Sequence, residues 1–120
     1  MKNNPINDIE ETPSIPIEAE FSSNILMRLI VGSMRYLVIE VDGLTDENGD
    51  RLAGRIDHST LTCEVEKDLP PQAKRYTIWY QAIHAFNYQA GIDMPEEHIN
   101  NLAYGIMLLL QDNPELRSSP

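Results

Sequence analysis

The stretch YTIWYQAIHAF, residues 76–86, decides how the chain is read. Its apolar side chains fall at Tyr76, Trp79/Tyr80, Ile83 and Phe86, with Ala90 beyond, a spacing of three or four that predicts one buried helix face. Pro70-Pro71 stands just ahead, where a missing N–H costs a helix nothing. Gly91 stands just past the stripe, where a left-handed residue ends a helix. Working downstream, Asp93 reads as the cap of a second helix, with Glu96 three residues later completing a capping box. That helix carries Ile99, Leu102/Ala103, Ile106 and Leu109/Leu110 on one stripe, and Asn113-Pro114 stops it.

Upstream the period changes to strands. Ile25 to Val31 and Met34 to Val41 flank Gly32-Ser33, a two-residue turn signal, and read as a hairpin. Asp42-Gly43 and Asp46 to Asp50 are turn material, with Asn48-Gly49 the strongest signal. Gly54 to His58 is a short strand. Leu61 to Glu66 alternates, with Leu61, Cys63 and Val65 on one face and Thr62, Glu64 and Glu66 on the other. Strands first and two helices last is the α+β order. The expected fold is a small, mostly antiparallel sheet of three to four strands with two C-terminal helices packed on it.

Residues 1–24 hold Pro5, Pro13 and Pro16 and five acids against Lys2 alone, a composition that buries little surface. They are expected to form a flexible acidic arm. Ile6, Ile9, Ile15, Ile17 and Phe21 qualify that reading, since they suit an arm lying along the domain or a partner, with Ile15-Pro16-Ile17 as an anchor. Residues 25–116 then make a single domain, and 117–120 a tail.

Bulk properties narrow the function classes. The 120 residues, 42% apolar, suffice for one modest core. No apolar run reaches the roughly 18 residues of a membrane span. No basic region followed by an apolar one marks a secretory signal, and the lone Cys63 has no disulfide partner within the chain. Cys63 lies in the alternating pattern as a core or edge-strand residue. A cytoplasmic location is expected. Nineteen acids against nine bases give a formal charge of −10, which disfavours direct contact with a phosphate backbone. The surplus keeps a small domain soluble, and it also suits a protein partner with a basic surface.

The helix around residue 80 almost spells a metal site. A zinc peptidase needs HExxH, two histidines one turn apart and a glutamate beside the first as general base. Here those five positions hold Tyr80, Gln81, Ala82, Ile83 and His84. Gly54-Arg55-Ile56-Asp57-His58 precedes it, then Asp68-Leu69-Pro70-Pro71-Gln72. Pro95-Glu96-Glu97-His98-Ile99-Asn100-Asn101-Leu102-Ala103 and Asp112-Asn113-Pro114-Glu115-Leu116 follow. In this order and with these gaps, residues 26–116 resemble the small phage-encoded zinc metallopeptidases of the minimal gluzincin type. Those carry a GxIDY-like strand, a DLxPQ lead-in, a TLLHEIxHAI helix, an acidic SEExVxxLA segment and a DNPEL end. The resemblance implies a zincin-like fold in a phage or another mobile element. It sets His84 at the second zinc histidine and Glu96, in a Glu-x-x-x-Asn arrangement with Asn100, at the third ligand. Tyr80 then stands at the first histidine and Gln81 at the catalytic glutamate.

Both departures strike essential roles. Catalytic zinc keeps three protein ligands and a water, and a tyrosine of pKa about 10 is a poor replacement. Glutamine takes no proton from that water. An engineered exchange accounts for Gln81 alone, and natural loss accounts for Tyr80 as well. His84 has a plainer reading too, as a groove histidine stacked on Tyr80, and Glu96 reads as the partner of Asp93 in the cap. His58 and His98 would rebuild a site with His84 only by converging, which no spacing argues.

The expectation is therefore a pseudoenzyme with no metal and no other cofactor. Its groove, with Tyr76, Trp79, Tyr80 and His84 as candidates, binds a protein. By analogy with other phage proteins, it would act as an inhibitor of a host factor, such as an anti-CRISPR or anti-restriction protein. The alternatives are a residual zinc peptidase using His84, Glu96 and His98, and a regulatory partner of a phage repressor.

Overall fold

A computed structural model of the protein describes residues 24–117. The expectations for the arm and for the tail after Arg117 lie outside these residues. Arg117 itself closes a 3-10 turn, Pro114–Arg117, rather than opening the tail.

The fold is α+β: a four-strand mixed sheet followed by two packed helices. The strands are β1 (Ile25–Val31), β2 (Met34–Val41), β3 (Gly54–Asp57) and β4 (Thr62–Glu66), in spatial order β1-β2-β4-β3. β1 pairs antiparallel with β2, and β3 with β4, while the central β2 and β4 run parallel. The parallel pair arises because the long turn after β2 carries the chain to the far edge, so β4 returns between β3 and β2. Gly32, with φ +60, opens the two-residue β1–β2 turn, the position at which a type II′ hairpin needs glycine.

Helix α1 (Pro71–Ala90) lies across the sheet, and α2 (Glu96–Asp112) packs against α1. Pro70 and Pro71 open α1 as expected. Gly91 closes it at φ +69: its N–H reaches the Tyr88 carbonyl at 3.3 Å and that of Ile92 the Asn87 carbonyl at 2.9 Å, the paired bonds of a Schellman end. The start of α2 differs from the sequence reading. Pro95, not Asp93, is the cap, and no side chain caps the helix. Proline's fixed φ near −57° already sets the entry, and Glu96 and Glu97 in the first turn complement the helix dipole.

The central cluster is Val38, Cys63 and Val65 on β2 and β4, covered by Leu29, Ile56, Leu69 and Ile78. Cys63 is a core residue, and burial pushes its thiol up to about 12. Two side chains break the simple patterns. Glu66, read as outward-facing, is buried at the end of β4, where its carboxylate accepts from Leu44 N at 2.7 Å, Gly43 N at 3.4 Å and Asp68 N at 2.9 Å. Those backbone donors hold its carboxyl below the usual range and tie the long β2–β3 turn to the sheet. Asn87 is buried near the end of α1, and neither side-chain atom finds a hydrogen-bond partner among the described residues.

Candidate functional site

The two helices meet along a ladder of polar and aromatic side chains. Tyr76, Tyr80 and His84, four residues apart on α1, face Glu96, Asn100 and Tyr104, four apart on α2. A period of four places each trio along one helix face, so two antiparallel helices bring them together as rungs. The Tyr76 hydroxyl donates to Asn100 Oδ1. Its ring meets Tyr104 at 6.5 Å and Tyr80 at 6.1 Å between centroids. Tyr80 meets His84 edge-to-face at 4.7 Å. His84 Nε2 lies 3.5 Å from Glu96 Oε2. The residues that the spacing alone could not connect, His84 and Glu96, are therefore neighbours, with Tyr80 against the imidazole.

His84 has its pKa lowered, first by burial and then by His58. Glu96 is 61% exposed, so solvent screens its attraction for the imidazole. His58 itself stands at the end of β3, stacked on Tyr88 of α1 at 4.1 Å, and its Nδ1 shares a 2.7 Å hydrogen bond with the Tyr36 hydroxyl. Sequence spacing gave no reason for His58 to approach His84, because the approach depends on β3 lying under the last turns of α1. His98 stands exposed on the first turn of α2.

Gln81 points the other way, toward β3, and is 4% exposed. Gly54 makes room for it. A Cβ at Gly54 would lie 2.6 Å from Thr77 Cγ2, 3.1 Å from Gln81 Nε2 and 3.1 Å from the Glu64 carbonyl. The glycine of the Gly-Arg-Ile-Asp strand therefore sets how closely α1 seats on β3, a use that an isolated strand glycine signals. Between them lies a 200 Å³ pocket lined by Gly54, Tyr76, Tyr80, Gln81 and Asn100. It opens beside β3, an edge of the sheet. Trp79 lies elsewhere, between Met27 and Leu29 on one side and Met107 and Leu110 on the other, and does not line this pocket.

The expected helix stripe is corrected by the same geometry. The deepest side chains of α1 are Thr77, Gln81, Ala85 and Asn87, while Phe86 and Tyr88 are exposed. Thr77 and Gln81 face β3, where the close seating on Gly54 leaves no room for rings, and Tyr76 and Tyr80 turn toward α2. On α2 the buried line is Ile99, Ala103 and Met107, with Leu102 and Leu109 exposed.

This donor set does not fit a catalytic zinc ion. His84 and Glu96 supply two ligands, Tyr80 a phenol and Gln81 a neutral amide, where three ligands and a base are required. Among the described residues, no group of three or more His, Cys, Asp and Glu side chains is placed to share a metal ion. What the arrangement offers is a half-buried aromatic and amide lining next to a strand edge. Comparison with protein-family models, with curated proteins and with solved structures gives no match to this chain.

Proposed function

We propose that the protein is a metallopeptidase-like domain without peptidase chemistry, which binds a partner protein by accepting an extended segment along β3. One observation carries the reading: the pocket of Tyr76, Tyr80 and Gln81 lies beside β3, an edge of the sheet among the described residues. The ladder supports it, because His84 and Glu96 stand together while the positions beside them bring a phenol and an amide. A zincin-like ancestry from a phage or mobile element accounts for both, and a host defence or nucleic-acid enzyme with a basic surface suits the acidic chain.

Strand addition needs free backbone groups. Glu66 N donates to the Ala53 carbonyl at 2.8 Å, so Arg55 and Asp57 bond toward β4 by alternation, and Gly54 and Ile56 turn their N–H and C=O outward. Ile56→Pro removes an outward N–H and leaves the β3–β4 ladder in place, as proline on an edge permits. Affinity capture from phage-infected host lysate tests the reading. The expected result is a stoichiometric protein partner held by the wild-type chain and lost by a folded Ile56→Pro variant. Peptide hydrolysis by the purified protein that disappears in His84→Ala would overturn it.

A further inference from the structure

Helix α2 presents a second face that its packing on α1 does not use. Ile99, Ala103 and Met107 make the buried line. Turned away from it, His98, Leu102, Gly105, Leu109 and Asp112 are spaced four and three apart on one stripe, and all five are exposed. Leu102 is 43% and Leu109 53% exposed. A Cβ added at Gly105 would meet nothing within 4 Å, so no described residue lies over the middle of the stripe. Half-buried Ile106 stands beside it, and Leu102, Gly105, Ile106 and Leu109 complete the spacing of a helix face that packs.

Charge says what fits this face. From His98 to Gln111 the helix holds no Asp, Glu, Lys or Arg, in a chain of nineteen acids and nine bases. A helix face bathed in water ordinarily carries charge. Here charge stands only at the ends, with Glu96 and Glu97 in the first turn and Asp112 as the last residue. Asp112 is badly placed for a lone helix. A carboxylate in the last turn opposes the helix dipole, and no basic residue of that turn offsets it.

Gly105 is the centre of the stripe. His98 lies seven residues before it and Asp112 seven after, two turns each way. A two-fold axis through Gly105 therefore sets His98 against Asp112 of a second copy, at both ends. It also brings the positive N-terminal end of one helix beside the carboxylate that closes the other.

We propose that this face of α2 is the interface of a homodimer, in which two α2 helices cross antiparallel at Gly105. Leu102, Ile106 and Leu109 of each copy pack about the crossing point, and the absent side chain of Gly105 lets the backbones approach closely. An imidazole N–H meets a carboxylate at each end. A chain of formal charge −10 thus associates through a long segment free of repelling charge. None of the stripe residues lines the pocket beside β3, so the dimer stands or falls apart from the binding of an extended segment there.

Sedimentation equilibrium of the full chain over a range of concentrations tests the proposal. The wild type is expected to be a dimer at micromolar concentration. Leu109→Asp should raise the dissociation constant at least about 30-fold, as loss of a central anchor does. Gly105→Leu should do the same yet unfold no earlier than the Leu109→Asp monomer, because within one copy the new side chain enters open space. His98→Asp should weaken the dimer, and adding Asp112→Arg to it should restore association. A wild type that stays monomeric up to millimolar concentration would overturn the proposal. So would a dimer that persists in Leu109→Asp and Gly105→Leu, and a charge exchange that restores nothing would overturn the two-fold through Gly105.

Discussion

Helix α1 has two contrasting faces. Toward β3 it presents Thr77 and Gln81, pressed onto Gly54, with Ala85 buried one turn on and Ile78 over the Val38, Cys63 and Val65 cluster. Toward α2 it presents Tyr76, Tyr80 and His84, large, aromatic and half-buried. Hydropathy alone would reverse the two, since it assigns rings to the interior. Distance decides instead: a helix seated close to a glycine strand has no room for rings, whereas a helix pair separated by ring-sized side chains does. Tyr80 and His84 therefore lie on one face and Gln81 on the other.

The sheet face should be the less forgiving. Gly54→Ala brings a methyl against Thr77 Cγ2 and the Glu64 carbonyl, and is expected to destabilise the protein by about 1–3 kcal/mol, as overpacking does. Thr77→Ser deletes the clashing methyl and keeps the hydroxyl that donates to the Ala73 carbonyl at 2.8 Å, so the double variant should recover part of the loss. A denaturation cycle over the four proteins measures the coupling. Full additivity would mean that close seating on Gly54 does not govern this face.

On the ladder face, Tyr80→Ala should cost about 1–2 kcal/mol, less than for a fully buried ring because the face is half open. It should also admit water to His84 and move the imidazole pKa back up toward its ordinary value, read by NMR titration. An unchanged His84 titration would show that Tyr80 does not shield it.

The same histidine gives the ladder a pH dependence. Its folded pKa lies below the unfolded value of about 6.5. Between the two, the unfolded chain binds more protons, so the stabilisation is complete above about pH 6.5 and is lost as pH falls through that value toward the folded pKa. His84→Phe should flatten this part of the stability profile. A profile that keeps its slope in the variant would assign it to other groups.

The smallest expected effect lies where α1 leaves the sheet. Asn87→Leu removes two buried polar atoms without partners, and should raise stability by about 1 kcal/mol. A loss of stability on chemical denaturation would mean that the amide is paired in solution.

Much of the fold was legible in the sequence. The hairpin about Gly32, the strand beginning at Gly54 and the ends of α1 at Pro71 and Gly91 all follow from turn and cap chemistry, which is local. The buried faces were not, because Gln81 and Glu66 are polar and their burial depends on partners far along the chain. Leu61 adopts φ +56 at the β3–β4 turn, a conformation its side chain disfavours and no sequence signal announces. Of the candidate site, Tyr80, His84 and Glu96 do come together, and Trp79 does not join them. The spacing that grouped Tyr76, Trp79, Tyr80 and His84 cannot tell which neighbour each ring meets.

The proposal that this helix pair keeps the layout of a metal site without its ligands is tested most directly by zinc titration. The wild-type chain is measured beside the double variant Tyr80→His/Gln81→Glu, which supplies the histidine and glutamate that the resemblance implies at these two positions. The account predicts no stoichiometric uptake by the wild type and about one zinc per chain in the double variant, lost again on His84→Ala. About one zinc per wild-type chain, removed by His84→Ala, would contradict it, and so would a folded double variant that takes up none.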